Sequence, residues 1–198
     1  PIFQSENQYS KGIRSILATF IYPKCSGTYI AVCEGDDYWI DSWKLQKQVD
    51  FLEEHPEYPA CFHRAQVLGN EGLSDSVYNH VREGKYDANE ILKRWTVPTA
   101  SFMFRRKFVS DIPSDQDFMY GDIVLFETMA RHGNLYCLPE MMSVYRRTDS
   151  GIVGGQRKNR NVALYTRTDR HYRALRRHFK KIFKKFFCRT TFYFLVKF

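Results

Sequence analysis

The sequence predicts an α/β fold, in which a sheet is flanked by helices. Short apolar runs of strand length alternate along the chain with segments whose apolar residues recur at helical spacing. Of the 198 residues 43% are apolar, with 16 Phe and 13 Tyr, which is enough for a sizeable core. One apolar run ends in a cluster of carboxylates, at the strand end where open α/β sheets place their ligands.

The first half of the chain is predicted to hold two helices and two strands. In order, these are a loop leading into a helix over residues 5–23, a strand over 29–33, a helix ending near residue 54 and a strand over 60–68. Asp41 or Ser42 can cap the second helix, and His55-Pro56 ends it. The predicted inward faces of the two helices are Ile13, Ile16, Leu17 and Phe20, and then Leu45, Val49 and Leu52.

The second half continues the alternation of strands and helices. The predicted elements are a polar loop over residues 69–84, a short helix over 90–94, a strand over 100–105, an acidic loop over 115–120, a helix over 122–132 and two short strands over 135–138 and 142–146. Asp87 or Asn89 can begin the short helix, and Gly133 is predicted to follow the longer one as its C′ residue.

The net charge of +8 is unevenly distributed. Residues 157–198 carry 14 Lys and Arg against one acid, a net charge of +13, whereas the remainder carries 16 against 21, a net charge of −5. We therefore divide the chain into a mildly acidic domain over residues 1–152 and a basic tail over 153–198. Five scattered cysteines without a C-x-x-C pair, and a polar start with no signal peptide, predict a reducing, cytoplasmic setting.

The tail is predicted to form a basic amphipathic helix. Its apolar residues recur at helical spacing, and Lys and Arg occupy much of the remaining circumference. Such a helix can lie on an anionic membrane surface, which would make the protein peripheral at the inner face of the plasma membrane. The alternative is a helix docked on the domain with its basic face in solvent. The apolar stripe consists of Tyr165, Tyr172, Leu175, Phe179, Ile182 and Phe186.

Three carboxylates around one glycine follow the strand over residues 29–33. Glu34 and Asp36 point to one side of an extended segment, because strand side chains alternate, and Asp37 follows directly. Oxygen ligands of this kind suit Mg²⁺ or Mn²⁺, which in turn suit a diphosphate. The alternative is a plain acidic turn, since Asp and Gly favour turns for conformational reasons.

The stretch Gly27–Trp39, followed by Lys44–Pro56, resembles the core of the family 2 inverting glycosyltransferases. The resemblance implies a GT-A fold, a Rossmann-like mixed sheet, whose DXD motif holds the divalent cation of a nucleotide-sugar. Glu34 stands where that motif usually has its first Asp. On this basis Asp36 is expected to coordinate Mn²⁺ or Mg²⁺ directly, Glu34 to contact the metal, a metal-bound water or the ribose, and Asp37 to shape the nucleotide site.

The same resemblance implies further site residues. Asp122 matches the family's catalytic base at the start of a helix, where the helix dipole would hold it ionised. Asp117 is the runner-up, and Asp115 is expected to be solvated. Ser101 is expected to contact the substrate. In the closing motif Arg146 can reach a phosphate or, equally, form a salt bridge with a carboxylate, and Thr148 stands where the family often has a histidine.

The resemblance covers residues 4–152 and predicts that the N-terminal nucleoside-binding part of the GT-A domain is missing. The predicted function is inverting transfer of a sugar from a nucleotide-sugar donor to a glycan or lipid-linked acceptor, in cell-surface polysaccharide synthesis. Two alternatives stay open: a non-catalytic nucleic-acid-binding protein and an inactive glycosyltransferase remnant. Nucleic acid is not a predicted partner, because the aromatic residues of the tail follow helical spacing and form no stacking platform on a sheet.

Overall fold

The computed structural model describes residues 2–8, 10–13, 15–74, 78–94, 96–147 and 162–180. Strands and helices alternate along these residues, so the α/β class is confirmed. The strands are β1 (Tyr29–Ala31), β2 (Tyr38–Trp39), β3 (Ala60–Gly69), β4 (Gly72–Ser74), β5 (Gly84–Tyr86), β6 (Met103–Arg105) and β7 (Leu135–Arg146). The α-helices are α1 (Lys44–Glu54), α2 (Ala88–Lys93), α3 (Gly121–Ala130) and α4 (Val162–His178).

The strands form one mixed sheet in the order β1-β6-β3-β7-β2, with β4 paired to β3 and β5 paired to β7. The central pair, β3 and β7, is parallel, and the other pairs are antiparallel. The first four residues of β3 are fully buried, as expected for a central strand covered on both faces. The main core cluster joins Phe62, Phe102 and Phe104 of the sheet region to Phe126 and Met129 of α3.

Several predicted elements differ from those in the structure. The two short closing strands are one strand, β7, whose pairing with β3 shifts register on either side of Arg64. The predicted strand over 100–105 starts later, because residues 99–101 form a 3₁₀ turn. The predicted N-terminal helix is only a short π-helical turn over Leu17–Ile21, followed by a 3₁₀ turn, and Leu17 is exposed.

The predicted ends of the helices agree with the structure better than their predicted buried faces do. Helix α1 ends at Glu54, before His55-Pro56, as predicted. Its buried face consists of Lys44, Gln48 and Leu52, whereas Leu45 is exposed. Asp87 begins α2 through a capping box with Glu90. Gly133 follows α3, and a Cβ there would lie 2.8 Å from the carbonyl oxygen of Glu57, so a side chain is excluded.

The described part of the tail packs on the domain. Ala174, Leu175 and Phe179 are buried in a second core cluster with Phe118 and Val124. This part of the apolar stripe is therefore covered by protein and unavailable to a lipid surface, so the docked alternative holds for α4 and the predicted membrane insertion of these side chains is wrong. Ile182 and Phe186 lie outside the described residues.

Phe179→Ala should destabilise the protein strongly. The side chain is 2% exposed, and truncating a buried Phe typically costs about 3–5 kcal/mol in free energy of unfolding. Urea unfolding followed by circular dichroism measures this loss, with Arg170→Ala, at an exposed position of α4, as the control. A change below about 0.5 kcal/mol, the usual size of a surface effect, would contradict the docking of this helix.

A second prediction about stability follows from a buried carboxyl group in α3. Glu127 is fully buried, and neither of its carboxyl oxygens has a hydrogen-bond partner within the described residues. Burial, and secondarily the charge of Asp87, raises the pKa of Glu127 from 4.5 to about 9. The folded protein therefore keeps this proton at neutral pH, whereas the unfolded chain releases it.

Because unfolding releases this proton between pH 4.5 and about 9, the contribution of Glu127 to stability is lost progressively as pH rises through that window. Glu127→Gln should remove this decline and raise the free energy of unfolding at pH 7 by on the order of 2 kcal/mol. Urea unfolding at pH 5, 7 and 9 measures both effects, with Glu71→Gln, on an exposed turn, as the control. An unchanged pH profile in Glu127→Gln would show that this carboxyl is ionised in the folded protein.

Candidate functional site

The acidic loop runs across one end of the sheet, from β1 to β2. At its start the amide of Val32 donates to the carbonyl of Phe102, beside β6, and Asp37 closes a turn by donating to the carbonyl of Glu34 at 3.0 Å. Beyond the loop, β2 pairs with β7 through Tyr38 and Val144. The loop is therefore anchored at both ends, and the Asp37 carboxylate lies at the end of β7.

The end of β7 holds this loop through one residue. The backbone amide of Arg146 donates to Asp37 Oδ1 at 2.9 Å, and its Nε donates to the carbonyl oxygen of Asp36. Arg146 thus holds the loop through its own amide and through the backbone of Asp36. Its predicted contact with a phosphate stays a prediction. The guanidinium is at the site and lies 6.0 Å from the Tyr38 ring centroid.

Asp37 has one carboxyl oxygen in use and one without a partner. The residue is 8% exposed, Oδ1 accepts the Arg146 bond, and Oδ2 is buried with no hydrogen bond within the described ranges. Loss of hydration raises the pKa of Asp37 to about 6, against the opposing effect of the Arg146 amide. An orphaned carboxylate oxygen in an acidic loop is open to a cation or to a hydroxyl donor.

Glu34 joins the acidic loop to the predicted base. Its pKa is raised to about 7, first by lost hydration and then by the charges of Asp122, Asp37 and Asp36. A hydrogen bond with the side chain of Thr99 works in the opposite direction. Glu34 and Asp122 are 88 positions apart in the sequence, yet the fold brings their carboxyl groups close enough to repel each other.

Asp122 occupies the first turn of α3 and is partly buried. Burial raises its pKa, although backbone amides at the start of the helix, including that of Ile123, hydrogen-bond to the carboxylate and act to lower it. Burial therefore opposes the effect of the helix N-terminus at Asp122, and the expectation that this carboxylate is ionised stays a prediction. A raised pKa brings a carboxylate closer to the range in which it is an effective general base.

Ser101 has a structural contact in place of the predicted substrate contact. It is fully buried, and its hydroxyl donates to the carbonyl of Pro98 at 2.6 Å, which closes the 3₁₀ turn. The residue of this turn that reaches the site is Thr99, through its hydrogen bond with Glu34. Sequence reasoning missed Thr99, although it lies two residues before Ser101 and carries the same functional group.

The acidic loop before α3 is tied to α4. Arg177 donates to Asp115 at 2.8 Å and to Asp117 at 3.0 Å, and His178 lies 3.0 Å from Asp115. Asp115 is therefore ion-paired and not solvated as expected, and these partners with the Asp117 amide hold its pKa at about 2. Asp117, the runner-up base, is engaged by the same arginine.

The acidic residues in the described part of the chain do not form a complete set of metal ligands. Within the ranges that the structure describes, no three His, Cys, Asp or Glu side chains are grouped in a way that could hold a metal ion by themselves. Asp36 is exposed at the loop surface, and Glu34 is beside it. Thr148, the position of the family's histidine, lies outside the described residues.

No protein-family model matches the chain. It is 42% identical over 130 residues to uncharacterized proteins of Mycobacterium tuberculosis (Rv1520) and Mycobacterium bovis (Mb1547), a match that covers 64% of this chain and 36% of each relative. The chain thus spans about a third of the length of these relatives.

Among solved structures, the fold is similar to two crystal structures of S. aureus TarS. The TM-scores are 0.48 and 0.49, the sequence identities 14% and 12%, and the matches cover 63% and 65% of this chain against 37% and 23% of those chains. No helix in the described part of this chain is long and apolar enough to cross a bilayer.

Proposed function

We propose that this protein is an inverting, metal-dependent glycosyltransferase that moves a sugar from a nucleotide-sugar to a glycan or lipid-linked acceptor, in cell-surface polysaccharide synthesis. The observation that carries this proposal is the electrostatic interaction between two carboxyl groups, since the charge of Asp122 of α3 raises the pKa of Glu34 of the acidic loop. One belongs to the segment that resembles a DXD motif, and the other to the segment that resembles the helix of a catalytic base. Together they would supply one reaction with a ligand for the cation and an acceptor for the hydroxyl proton.

Asp36 and Glu34 would hold the divalent cation, Mn²⁺ or Mg²⁺. Mg²⁺ commonly binds one or two carboxylates and completes its shell with waters and substrate phosphates, so a site without three converging side chains fits it. The crowding that raises the pKa values of Glu34 and Asp37 also fits, because a bound cation would relieve the repulsion between these carboxylates. When bound, the cation would stabilise negative charge on the departing diphosphate.

Asp122 would take the proton of the acceptor hydroxyl. As the hydroxyl oxygen bonds to the anomeric carbon of the donor, the bond from that carbon to the diphosphate oxygen breaks, and the hydroxyl proton passes to the Asp122 carboxylate. A single displacement of this kind inverts the anomeric configuration. Arg146 would reinforce the donor side, by holding the loop carbonyl of Asp36 and by placing its guanidinium near the phosphates.

The described part of the tail gives little support to the nucleic-acid alternative. Helix α4 packs its apolar side on the domain, and two of its arginines, Arg173 and Arg177, are paired with carboxylates. A peripheral location at the inner membrane face remains part of the proposal, and it would depend on the basic residues in solvent and on the tail beyond residue 180. The remnant alternative is decided by the measurement of donor binding below.

Calorimetric titration of nucleoside diphosphates tests the proposal directly. We expect UDP, GDP or another diphosphate of a small panel to bind the full protein in the presence of Mn²⁺ or Mg²⁺, and to lose affinity when EDTA removes the cation. The corresponding nucleoside monophosphates are the control, since they lack the β-phosphate that a cation would bridge. Equal binding of diphosphates with and without a cation would refute metal dependence, and no binding of any diphosphate would favour the inactive remnant.

A further inference from the structure

Helix α1 buries two polar side chains where the sequence predicts an apolar face. Lys44 is 1% exposed, and Gln48 is fully buried. The Lys44 ammonium donates to Gln48 Oε1 at 2.6 Å, and Gln48 Nε2 donates to the carbonyl of Ser101 at 2.8 Å. Burial lowers the pKa of Lys44 to about 8, so this charge is kept at neutral pH at a cost in free energy. Core packing alone would favour an apolar residue at this position.

The aromatic ring that Lys44 covers is the indole of Trp39. The ammonium lies over the ring, 4.3 Å from its centroid. The indole Nε1 donates to the carbonyl of Ala100 at 2.8 Å, and the backbone of Trp39 pairs with Ser143 in β7. The ring is thus held by its strand, by its own N–H group and by a buried cation, which together fix its orientation.

The remainder of the indole is open to solvent. Trp39 is 37% exposed, and none of the apolar clusters among the described residues includes it. Because Lys44 covers one face of the ring, the exposed surface belongs to the rest of it. A tryptophan stabilises a fold by burying its ring, which this one does only in part, so its fixed orientation suits a ligand better than the core.

This open surface is next to the acidic loop. The anchor of the indole, Ala100, directly follows Thr99, which hydrogen-bonds to Glu34. Trp39 also follows Asp37 by two positions, so their Cα atoms are at most about 7 Å apart. One 3₁₀ turn therefore contacts both the loop and the indole, and a ligand that extends from the loop along this turn would meet the ring.

We propose that Trp39 is a stacking platform for a saccharide ring of the transfer reaction and that Lys44 and Gln48 are the residues that position it. This inference rests on the proposed transferase function. A pyranose ring presents an apolar C–H face that packs on an aromatic ring, and its hydroxyl groups hydrogen-bond to carboxylates. The saccharide is either the donor sugar or the acceptor sugar, and the two sources give different results in the experiment that follows.

Fluorine NMR of protein labelled with 5-fluorotryptophan reports on the platform directly. The chain contains three Trp, and the resonance that is lost in Trp39→Phe is assigned to Trp39. We expect a panel of methyl glycosides, or of nucleotide-sugars with Mn²⁺, to shift this resonance. A shift by glycosides alone identifies an acceptor sugar, and a shift that requires the nucleotide-sugar identifies the donor sugar. The absence of any shift beyond that given by the nucleoside diphosphate would overturn the proposal.

Trp39→Leu and Trp39→Phe test the aromatic face. Leucine removes it, whereas phenylalanine keeps an aromatic ring and loses the N–H group that binds Ala100. We expect kcat/KM for the saccharide identified by NMR to fall about tenfold in Trp39→Leu and about threefold in Trp39→Phe. Trp43→Phe, at a more exposed position near the start of α1, is the control and should change it little. An unchanged kcat/KM in Trp39→Leu, or an equal loss in Trp43→Phe, would contradict the assignment to Trp39.

Lys44→Met tests the positioning role, because methionine preserves much of the length of the side chain and removes the ammonium. We expect the Trp39 resonance to broaden or split as the ring gains freedom, and the saccharide Kd from titration of that resonance to rise about two- to fivefold. Lys47→Met makes the same change at an exposed lysine of α1 and should alter neither. A Trp39 resonance of unchanged position and width in Lys44→Met would show that the lysine does not hold the ring.

The outcomes separate this inference from the function on which it rests. If nucleoside diphosphates bind with a cation but no saccharide shifts the Trp39 resonance, the platform is refuted and the transferase proposal stands. If glycosides shift the resonance while no nucleoside diphosphate binds, Trp39 belongs to a saccharide-binding site and the proposed transfer fails. If neither class of ligand binds, both proposals fail.

Discussion

Asp36→Asn should abolish nucleotide-sugar turnover and leave the fold intact. The residue is exposed on the acidic loop, and its side chain has no hydrogen bond or ion pair within the described residues, so the isosteric amide should not change the free energy of unfolding. A neutral amide is a much weaker ligand for Mn²⁺ or Mg²⁺ than a carboxylate. Without the cation, charge on the departing diphosphate would lose its main stabilisation.

The measurement is release of nucleoside diphosphate from the nucleotide-sugar, together with the cation-dependent binding described above. Asp50→Asn, the same chemical change at an exposed position of α1, serves as the matched control and should keep full activity. Near-normal turnover in Asp36→Asn would show that the metal assignment is wrong. In that case Glu34 and Asp37 would have to be re-examined as the cation ligands.

Asp122→Asn should reduce the transfer rate by about 10²–10⁴, which is the usual contribution of a positioned general base. An amide cannot take the proton of the acceptor hydroxyl, while its similar size preserves the packing at the start of α3. Donor affinity should change little, because the proposed role of Asp122 is confined to the acceptor. The expected signature is a large loss of kcat with an unaltered Kd for the nucleoside diphosphate.

Asp117→Asn is the informative comparison for this prediction. Asp117 was the alternative base, and in the structure its carboxylate is paired with Arg177 at 3.0 Å. We expect a smaller loss than in Asp122→Asn, because the change only weakens one contact between the loop and α4. A larger loss in Asp117→Asn would instead identify Asp117 as the base and would separate Asp122 from the reaction.

The two substitutions address different halves of the reaction. Asp36→Asn should affect binding of the donor and its cation, and Asp122→Asn should affect the chemical step at the acceptor. A protein that failed to fold would lose both, so retention of diphosphate binding in Asp122→Asn is also a control for folding. Together they separate a loss of donor binding from a loss of the chemical step.

Much of the local structure could be predicted from the sequence. The end of α1 before His55-Pro56 and the capping box at Asp87 depend on residues adjacent in the chain, and both are present. The acidic loop after β1 was likewise located by its own residues. Its role as a metal site was implied by the resemblance and remains a prediction.

Predictions from the sequence alone were wrong where packing against other elements decides the structure. Leu45 fitted the apolar face of α1 by spacing, but the side of the helix that meets the sheet carries Lys44 and Gln48, and Leu45 faces solvent. The short strands after residue 135 are one strand because β3 lies alongside both as a parallel partner, with a register shift at Arg64. Pairing and burial depend on distant residues, so local spacing cannot reveal them.

By itself, the sequence determined the α/β class, the end of α1, the cap of α2 and the position of the acidic loop, because each is encoded by neighbouring residues. Only the tertiary structure decided which side chains meet. It brought Glu34 beside Asp122, gave Thr99 in place of Ser101 a contact in the site, and packed the apolar stripe of α4 on the domain. These contacts join segments that are far apart in the chain, and they form because burial of apolar surface selects one arrangement of the whole fold.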